Sequence, residues 1–250
     1  MRCLTFLFPL AAIFAPTLAC AEVVLYSTGY EPPAYAVGPL AGQDDWTGFS
    51  SAVTADFSRS GSQSLVFDLN ANFSFNQRPE AFSTSAPTVT MRQAVYIERP
   101  DVNAEVLSNF FIRPFLPLGE NPNDVDGGEF LGQVVVKAGD SPSGLVAVLE
   151  AGAGDLGIVP VALDEWFVLE LVLDLDTQSQ EAYIDGQFLA SAPFANPASE
   201  FSNVENLVIG KDNHIVFLDD LSITAVPEPG SVALLGLGSL TMLGLGVRRR

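Results

Sequence analysis

The sequence predicts an all-β protein: a single antiparallel jelly-roll or β-sandwich domain, flanked by an N-terminal signal peptide and a C-terminal apolar helix. Three observations predict this fold class. Short segments with strand composition recur about every ten residues between clusters of Gly, Pro, Asn and Asp, and a helical period is hard to find. The 250 residues are enough for one large domain with its own core. Apolar runs at the two ends bracket an acidic body.

The first 21 residues have the layout of a secretory signal peptide. One positive charge, Arg2, precedes a short apolar run. Ala19 and Ala21 then place small residues at positions −3 and −1, which predicts cleavage before Glu22. The apolar run is too short to be interpreted as a membrane-spanning helix.

Both cysteines of the chain, Cys3 and Cys20, precede this cleavage site. The mature protein would therefore have no disulfide, and a domain of this size can depend on its hydrophobic core instead. The alternative is lipidation of Cys20, for which Thr17 stands where a leucine is usual.

The last 25 residues carry a second targeting pattern. The prolines of Pro227-Glu228-Pro229 prevent a helix and favour an extended, exposed link. Residues 231–247 form an uncharged run of 17 residues, which reaches about 25 Å as a helix, against about 30 Å for a hydrocarbon core. Arg248, Arg249 and Arg250 end the chain, and the positive-inside rule predicts that they stay cytoplasmic while the body lies outside.

This order of tripeptide, Gly-rich apolar segment and arginine cluster resembles the PEP-CTERM sorting signal of Gram-negative bacteria. The resemblance implies that an exosortase, an integral-membrane protease, recognises the tripeptide, cuts near it, and releases or transfers the protein to the outer envelope. Three segments follow: a signal peptide at 1–21, a jelly-roll domain at 22–225, and a sorting signal at 226–250 with a short transmembrane segment at 231–247. The alternative is a permanent anchor, which needs neither the tripeptide nor so short a segment.

The body is strongly acidic. Residues 22–225 contain 29 Asp and Glu against 7 Lys and Arg, a net charge of −22. Nucleic acids and anionic membranes are bound by Lys and Arg, so this charge repels them. We therefore expect no nucleic-acid partner.

Eleven segments of the body have strand composition and are separated by turn residues. They are Val23–Tyr26, Ser64–Phe67, Val89–Ile97, Val106–Ile112, Phe130–Lys137, Leu145–Leu149, Phe167–Asp174, Glu181–Ile184, Gln187–Ala190, Asn206–Ile209 and Ile215–Ile223.

The clearest of these segments begins at Trp166. Its alternation predicts one buried face, which comprises Phe167, Leu169, Leu171 and Leu173. After the return strand, Asp185-Gly186 predicts a two-residue turn, because both residue types tolerate positive φ. The three strands together predict a meander.

This meander, with Leu207–Gly210 and Phe217–Ile223, resembles the concanavalin A-like, laminin-G-like jelly roll. Gly29–Glu31 and Ser60–Leu65 resemble opening strands of that fold. Residues 70 to 130 match it weakly.

Carboxylates of the meander do not have the spacing of a glycosidase. Laminarinase-type hydrolases of this fold place Glu-x-Asp-x-Glu on one strand, which brings two carboxyl groups within about 5–5.5 Å. Glu170 and Asp174 would be about 13 Å apart along a strand, and Asp176 lies where the strand turns. His214 has no second histidine to support nucleophilic catalysis. We therefore expect no catalytic residue, with a glycan hydrolase or lyase as the alternative.

Loop carboxylates are candidate calcium ligands. Asp124, Asp126, Asp219 and Asp220 have the residue type that calcium prefers. Pro122 stands where an EF-hand would have its first ligand, and polar turns explain the same residues. We therefore assign no metal site and expect no cofactor, with calcium as the alternative.

Tyr30, Tyr35 and Trp46 lie in one turn-rich stretch, where exposed rings could stack on sugars. Because tryptophan is usually highly buried, we expect Trp46 and Trp166 to pack in the core.

Together these features predict an exported, non-enzymatic protein of the cell envelope or extracellular matrix. Its partners would be an exosortase-type protease and, transiently, the inner membrane. A carbohydrate-binding module for exopolysaccharide is the alternative, because the fold allows but does not demonstrate that function.

Overall fold

The structure, a computed structural model, describes residues 22–67, 73–78, 86–99, 108–115, 131–139, 141, 143–151, 154–199, 203–210 and 215–226. Several predicted features lie outside these residues: the signal peptide with Ala19 and Ala21, Asp124 and Asp126, His214, the tripeptide Pro227–Pro229, the segment 231–247, and Arg248, Arg249 and Arg250. The described strands all belong to one compact unit within Glu22–Pro227.

All regular structure in the described part is β-strand. Its sixteen strands are β1 (Val23–Thr28), β2 (Gly38–Pro39), β3 (Thr47–Phe49), β4 (Ser51–Thr54), β5 (Ser64–Phe67), β6 (Phe73–Arg78), β7 (Thr88–Ile97), β8 (Ser108–Phe115), β9 (Gln133–Ala138), β10 (Leu145–Glu150), β11 (Asp155–Pro160), β12 (Trp166–Asp174), β13 (Ser179–Ile184), β14 (Gln187–Pro193), β15 (Asn203–Gly210) and β16 (Val216–Val226). No helix that could cross a membrane occurs among the described residues.

The strands form two antiparallel sheets. Sheet A has the order β14-β13-β12-β7-β16-β5-β4-β2, and β1 also pairs with β16. Sheet B has the order β11-β10-β9-β8-β15-β6-β3. Hydrophobic side chains from both sheets form one large buried cluster, so the predicted all-β sandwich is confirmed.

The predicted meander is β12, β13 and β14. Burial alternates strictly along β12, with Phe167, Leu169, Leu171 and Leu173 on the buried face. Asp185 and Gly186 have φ of 50° and 76° and join β13 to β14, which confirms the predicted turn with two positive φ angles.

Five strands were not predicted from the sequence: β2, β3, β4, β6 and β11. Four of them are short or interrupted by Gly or Pro, which have little strand preference. Strand β6 differs because its buried residues, Ser74, Asn76 and Gln77, are all polar. The segments Gly29–Glu31 and Ser60–Gln63, expected within opening strands, are loops that follow β1 and precede β5.

Trp46 and Tyr30 are among the largest fully buried side chains, and Tyr35 is 3% exposed. The core role expected of Trp46 is therefore confirmed. Its Nε1 donates to the hydroxyls of Tyr26 and Tyr35, each at 3.1 Å. Both hydroxyls also lie 2.8 Å from Asp44 Oδ2, and burial raises the pKa of Tyr35. These rings hold the N-terminal segment in place and do not form a platform for sugars.

We predict that Leu171→Ala destabilises residues 22–225 by about 2–5 kcal/mol, because Leu171 is 2% exposed and a cavity would remain. The neighbouring Val172→Ala, on the half-buried outer face, should cost about 1 kcal/mol. Urea titration measures both values. Equal losses would contradict the one-sided burial of β12.

Candidate functional site

A groove of about 340 Å³ crosses the outer face of sheet A. It is lined by residues of β1, β7, β12 and β16, and by Arg59 from the loop between β4 and β5. Ala94 of β7 and Val168 of β12, which face each other in register, are among the lining residues.

The groove arises from a row of small side chains between two rows of large ones. In the register of β7 and β12, Tyr96 faces Trp166, Ala94 faces Val168, and Arg92 faces Glu170. Side chains two residues apart on a strand share a face, so these three pairs are successive rows of the outer face. The middle row leaves space between an aromatic row and a charged row.

The aromatic row forms one end of this face. Phe217 of β16 faces Tyr96, and Phe57 reaches the same rings from the loop between β4 and β5. Phe57 stacks on Trp166 with centroids 5.5 Å apart and an interplanar angle of 6°. Phe57 also lies 4.6 Å from Tyr96 and 4.9 Å from Phe217. All four rings are half-buried, so Trp166 lies in a partly exposed outer cluster and not in the core between the sheets.

A β-bulge in β16 shapes the other side of the groove. Asp219 faces Ala94 and Ser222 faces Arg92, so β16 advances three residues while β7 advances two. Asp220 has φ of 48°, a left-handed conformation that aspartate tolerates better than most residues. The extra residue leaves Asp219 fully buried, whereas Asp220 lines the groove.

Asp219 fixes the loop that carries Phe57 and Arg59. Its Oδ2 accepts the backbone N–H groups of Arg59 at 2.9 Å and Ser60 at 3.1 Å. Its Oδ1 accepts the backbone N–H of Asp220 at 2.8 Å. Burial raises the pKa of Asp219, while these three hydrogen bonds oppose that shift.

Glu31 holds the end of the same loop. Its Oε1 accepts the backbone N–H groups of Ser62 at 2.7 Å and Gln63 at 2.8 Å, and its Oε2 accepts the Ser62 hydroxyl. These hydrogen bonds lower the pKa of Glu31. Gly61 has φ of 62°, and a Cβ there would lie 2.2 Å from Glu31 Oε1, so the contact requires glycine. Two carboxylates thus position one wall of the groove.

The charged groups of the groove neutralise one another. Arg59 Nη1 lies 3.2 Å from Asp220 Oδ2, and Arg92 Nε lies 2.9 Å from Glu170 Oε2. The Ser60 hydroxyl donates to Asp220 Oδ1 at 2.6 Å. Each guanidinium is therefore matched by one carboxylate.

The candidate calcium ligands Asp219 and Asp220 are occupied by these protein contacts. In the described ranges, no group of three His, Cys, Asp or Glu side chains is arranged to hold a metal ion.

The carboxylates of the meander also have structural partners. Glu170 pairs with Arg92, and Asp174 Oδ1 accepts the backbone N–H groups of Asp176 at 3.0 Å and Thr177 at 2.8 Å. The hydrogen bond from the Thr177 backbone N–H is the main reason that the pKa of Asp174 is lowered. Asp174 therefore caps the turn after β12.

Sequence reasoning missed the groove itself. Phe57, Arg59 and Ser222 had no recognisable pattern, because they meet only through pairing of distant strands. The one available signal was the small Ala94 between Arg92 and Tyr96 on an alternating strand.

Comparison with known proteins identifies the tail and the fold separately. Residues 225–250 match the family model of the PEP-CTERM protein-sorting motif. The match confirms the resemblance of the tail that the sequence predicted, and it indicates export with exosortase processing. No curated protein sequence matches the chain significantly.

Solved structures similar to this chain cover most of it. A carbohydrate esterase from the Shiga toxin-encoding bacteriophage phi24B has a TM-score of 0.57 at 15% identity, covering 82% of this chain and 99% of the esterase. The potassium-bound carbohydrate recognition domain of Emp46p has a TM-score of 0.52 at 12% identity, covering 78% of this chain and 96% of that domain.

A sialidase has a TM-score of 0.51 at 12% identity, and the match covers 77% of this chain but only 18% of the sialidase. At these identities the likeness establishes the fold alone. It agrees with the jelly-roll body predicted from the sequence.

We predict that Asp219→Ala releases the loop between β4 and β5 and destabilises the protein by about 1–3 kcal/mol, since three N–H groups lose their acceptor. The matched control Asp220→Asn keeps a residue type that tolerates the positive φ, removes only a half-exposed ion pair and the charge on the Ser60 contact, and should cost under about 1 kcal/mol. Amide hydrogen exchange at Arg59 and Ser60 should accelerate in the first variant alone. Similar exchange in both variants would show that Asp219 does not hold the loop.

Proposed function

We propose that this chain is a non-enzymatic protein of the cell surface or extracellular matrix, sorted by an exosortase-type protease, and that its body binds carbohydrate in the groove of sheet A. The sorting part rests on the PEP-CTERM match at residues 225–250. The binding part rests on the groove, whose polar lining adjoins four partly exposed aromatic rings.

The proposed route has three steps. Residues 1–21 direct the chain into the general secretory pathway and are removed after Ala21. The segment 231–247 then holds the protein in the inner membrane, with Arg248, Arg249 and Arg250 in the cytoplasm. The protease recognises Pro227-Glu228-Pro229 and separates the domain at 22–225 from its tail.

The chemistry of the groove suits sugars. Sugar rings pack their C–H faces on aromatic side chains, while their hydroxyls need both donors and acceptors. Ser27, Ser222 and the two ion pairs supply such groups in the groove, and the row of Ala94 and Val168 lies between the Arg92–Glu170 pair and the rings of Tyr96 and Trp166. The names of similar structures, which include a carbohydrate recognition domain and a carbohydrate esterase, support this class of ligand.

Two observations support a binding role without catalysis. Asp220 and Glu170, the carboxylates at the groove, each pair with an arginine and are not a free acid and base. We also propose binding without a metal, because Asp219 accepts three backbone N–H groups.

We predict that Pro227→Ala with Glu228→Ala blocks processing and leaves the fold unchanged, because the tripeptide follows the last described strand. The apolar run and the arginines should still halt the chain in the inner membrane, where uncut precursor would accumulate. Fractionation and immunoblotting in a host with the processing enzyme measure this. A mutant trimmed and delivered like the parent would rule out the sorting role.

We predict that Ser222→Leu lowers affinity for a bound glycan at least tenfold, because the larger side chain enters the groove. The control is Thr90→Leu, at a half-buried outer-face position of the neighbouring β7 that does not line the groove. Glycan-array binding by the full chain in mild detergent compares the variants. Equal binding by both would place the sugar elsewhere.

A further inference from the structure

The described cations of this protein are all neutralised. Arg59, Arg78, Arg92, Arg99 and Lys137 each lie within 4.0 Å of at least one Asp or Glu oxygen. They are the Lys and Arg residues whose side chains the structure describes. An acidic sugar would therefore meet no unpaired cation among these five side chains.

The groove itself contains equal numbers of paired positive and negative side chains. Its two guanidinium groups, Arg59 and Arg92, face two carboxylates, Asp220 and Glu170. An anionic ligand that bound the remaining N–H groups of either arginine would lie beside the carboxylate paired with that arginine, which would repel it. It would also approach a body of net charge −22.

An uncharged hydroxyl is repelled neither by the paired carboxylates nor by the net charge of the body. A hydroxyl both donates and accepts, so it can donate to a carboxylate oxygen and accept from a guanidinium N–H of the same ion pair. Ser27 and Ser222, which face each other across β1 and β16, add two hydroxyls of the same kind. The intact ion pairs thus offer donors and acceptors together.

From these observations we infer that the groove takes a neutral glycan, an uncharged chain of hexose units, and discriminates against uronic-acid polymers. The inference rests on the carbohydrate binding proposed above and specifies its ligand class. One sugar ring would lie against the exposed edges of the aromatic row, and the next would lie over Ala94 and Val168, between the two ion pairs.

The test compares neutral and acidic oligosaccharides on the full chain in mild detergent. The neutral probes are cellohexaose, maltohexaose and laminarihexaose, and the acidic probe is hexagalacturonic acid, all titrated calorimetrically at 0.15 M salt. We expect at least one neutral probe to bind at least tenfold more tightly than the acidic probe. Ser222→Leu should remove that binding, and Thr90→Leu should retain it.

A charge variant tests the reason for the preference. Glu170→Gln with Asp220→Asn leaves Arg92 and Arg59 without their carboxylates. We expect its affinity for hexagalacturonic acid to rise at least fivefold and its affinity for the neutral probe to fall. Circular dichroism verifies its folding. As a measurement independent of any variant, neutral binding by the parent should change less than twofold between 0.05 and 0.3 M salt, because no net charge is exchanged.

The outcomes separate the two claims. If the parent prefers hexagalacturonic acid and Ser222→Leu removes that binding, the neutral class is wrong and the carbohydrate groove remains. If neither class of probe binds, both this inference and the carbohydrate function proposed above are wrong. Steep salt dependence of neutral binding would also overturn the inference.

Discussion

The bulge in β16 is the constraint on which the outer face of sheet A depends. Before the bulge β16 pairs with β5, and after it β16 pairs with β1, while β7 occupies its other edge throughout. Asp219, at the start of the bulge, is fully buried, and its carboxylate accepts two backbone N–H groups of the loop between β4 and β5. One irregularity therefore sets both the pairing and the loop position.

The loop between β4 and β5 supplies an aromatic ring and a charged side chain to the outer face around the groove. It brings Phe57 onto three rings of the sheet and Arg59 onto Asp220. Because Asp219 and Glu31 accept backbone N–H groups from residues 59 to 63 of this loop, contacts within the protein hold the loop in place. Preorganisation of this kind reduces the entropy lost on binding.

The charged groups of the body act differently over the whole surface and inside the groove. The net charge of −22 acts at long range and repels polyanions. Within the groove the paired ions supply donors and acceptors at short range without net charge. An envelope protein with these properties would stay apart from acidic polymers while retaining contacts to uncharged ones.

The sorting motif and the groove lie in separate parts of the chain. The sorting motif is a local pattern of prolines, apolar residues and arginines, so a family model recognises it from residues 225–250 alone. The groove depends on strands that are distant in sequence: Ser27, Ala94, Val168 and Ser222 line it together.

The sequence by itself determined what depends on local period and turn chemistry. The alternation in β12, the positive-φ turn at Asp185-Gly186 and the all-β class were predicted correctly, because side-chain direction and turn type follow from neighbouring residues. The burial of Trp46 also followed from residue type. Strands β6 and β11 were missed, since polar residues inside a sheet and a Gly-containing edge strand weaken that local signal.

Only the tertiary structure decided which residues meet. Trp166 was expected in the core, yet it lies on the outer face because it shares a strand face with Val168 and Glu170, opposite to Phe167. Asp219 was a candidate calcium ligand, but its carboxylate binds loop amides 159 and 160 residues away in the chain. Strand pairing over such separations is set by the register of whole sheets and by the packing between them, and no short window of sequence contains that information.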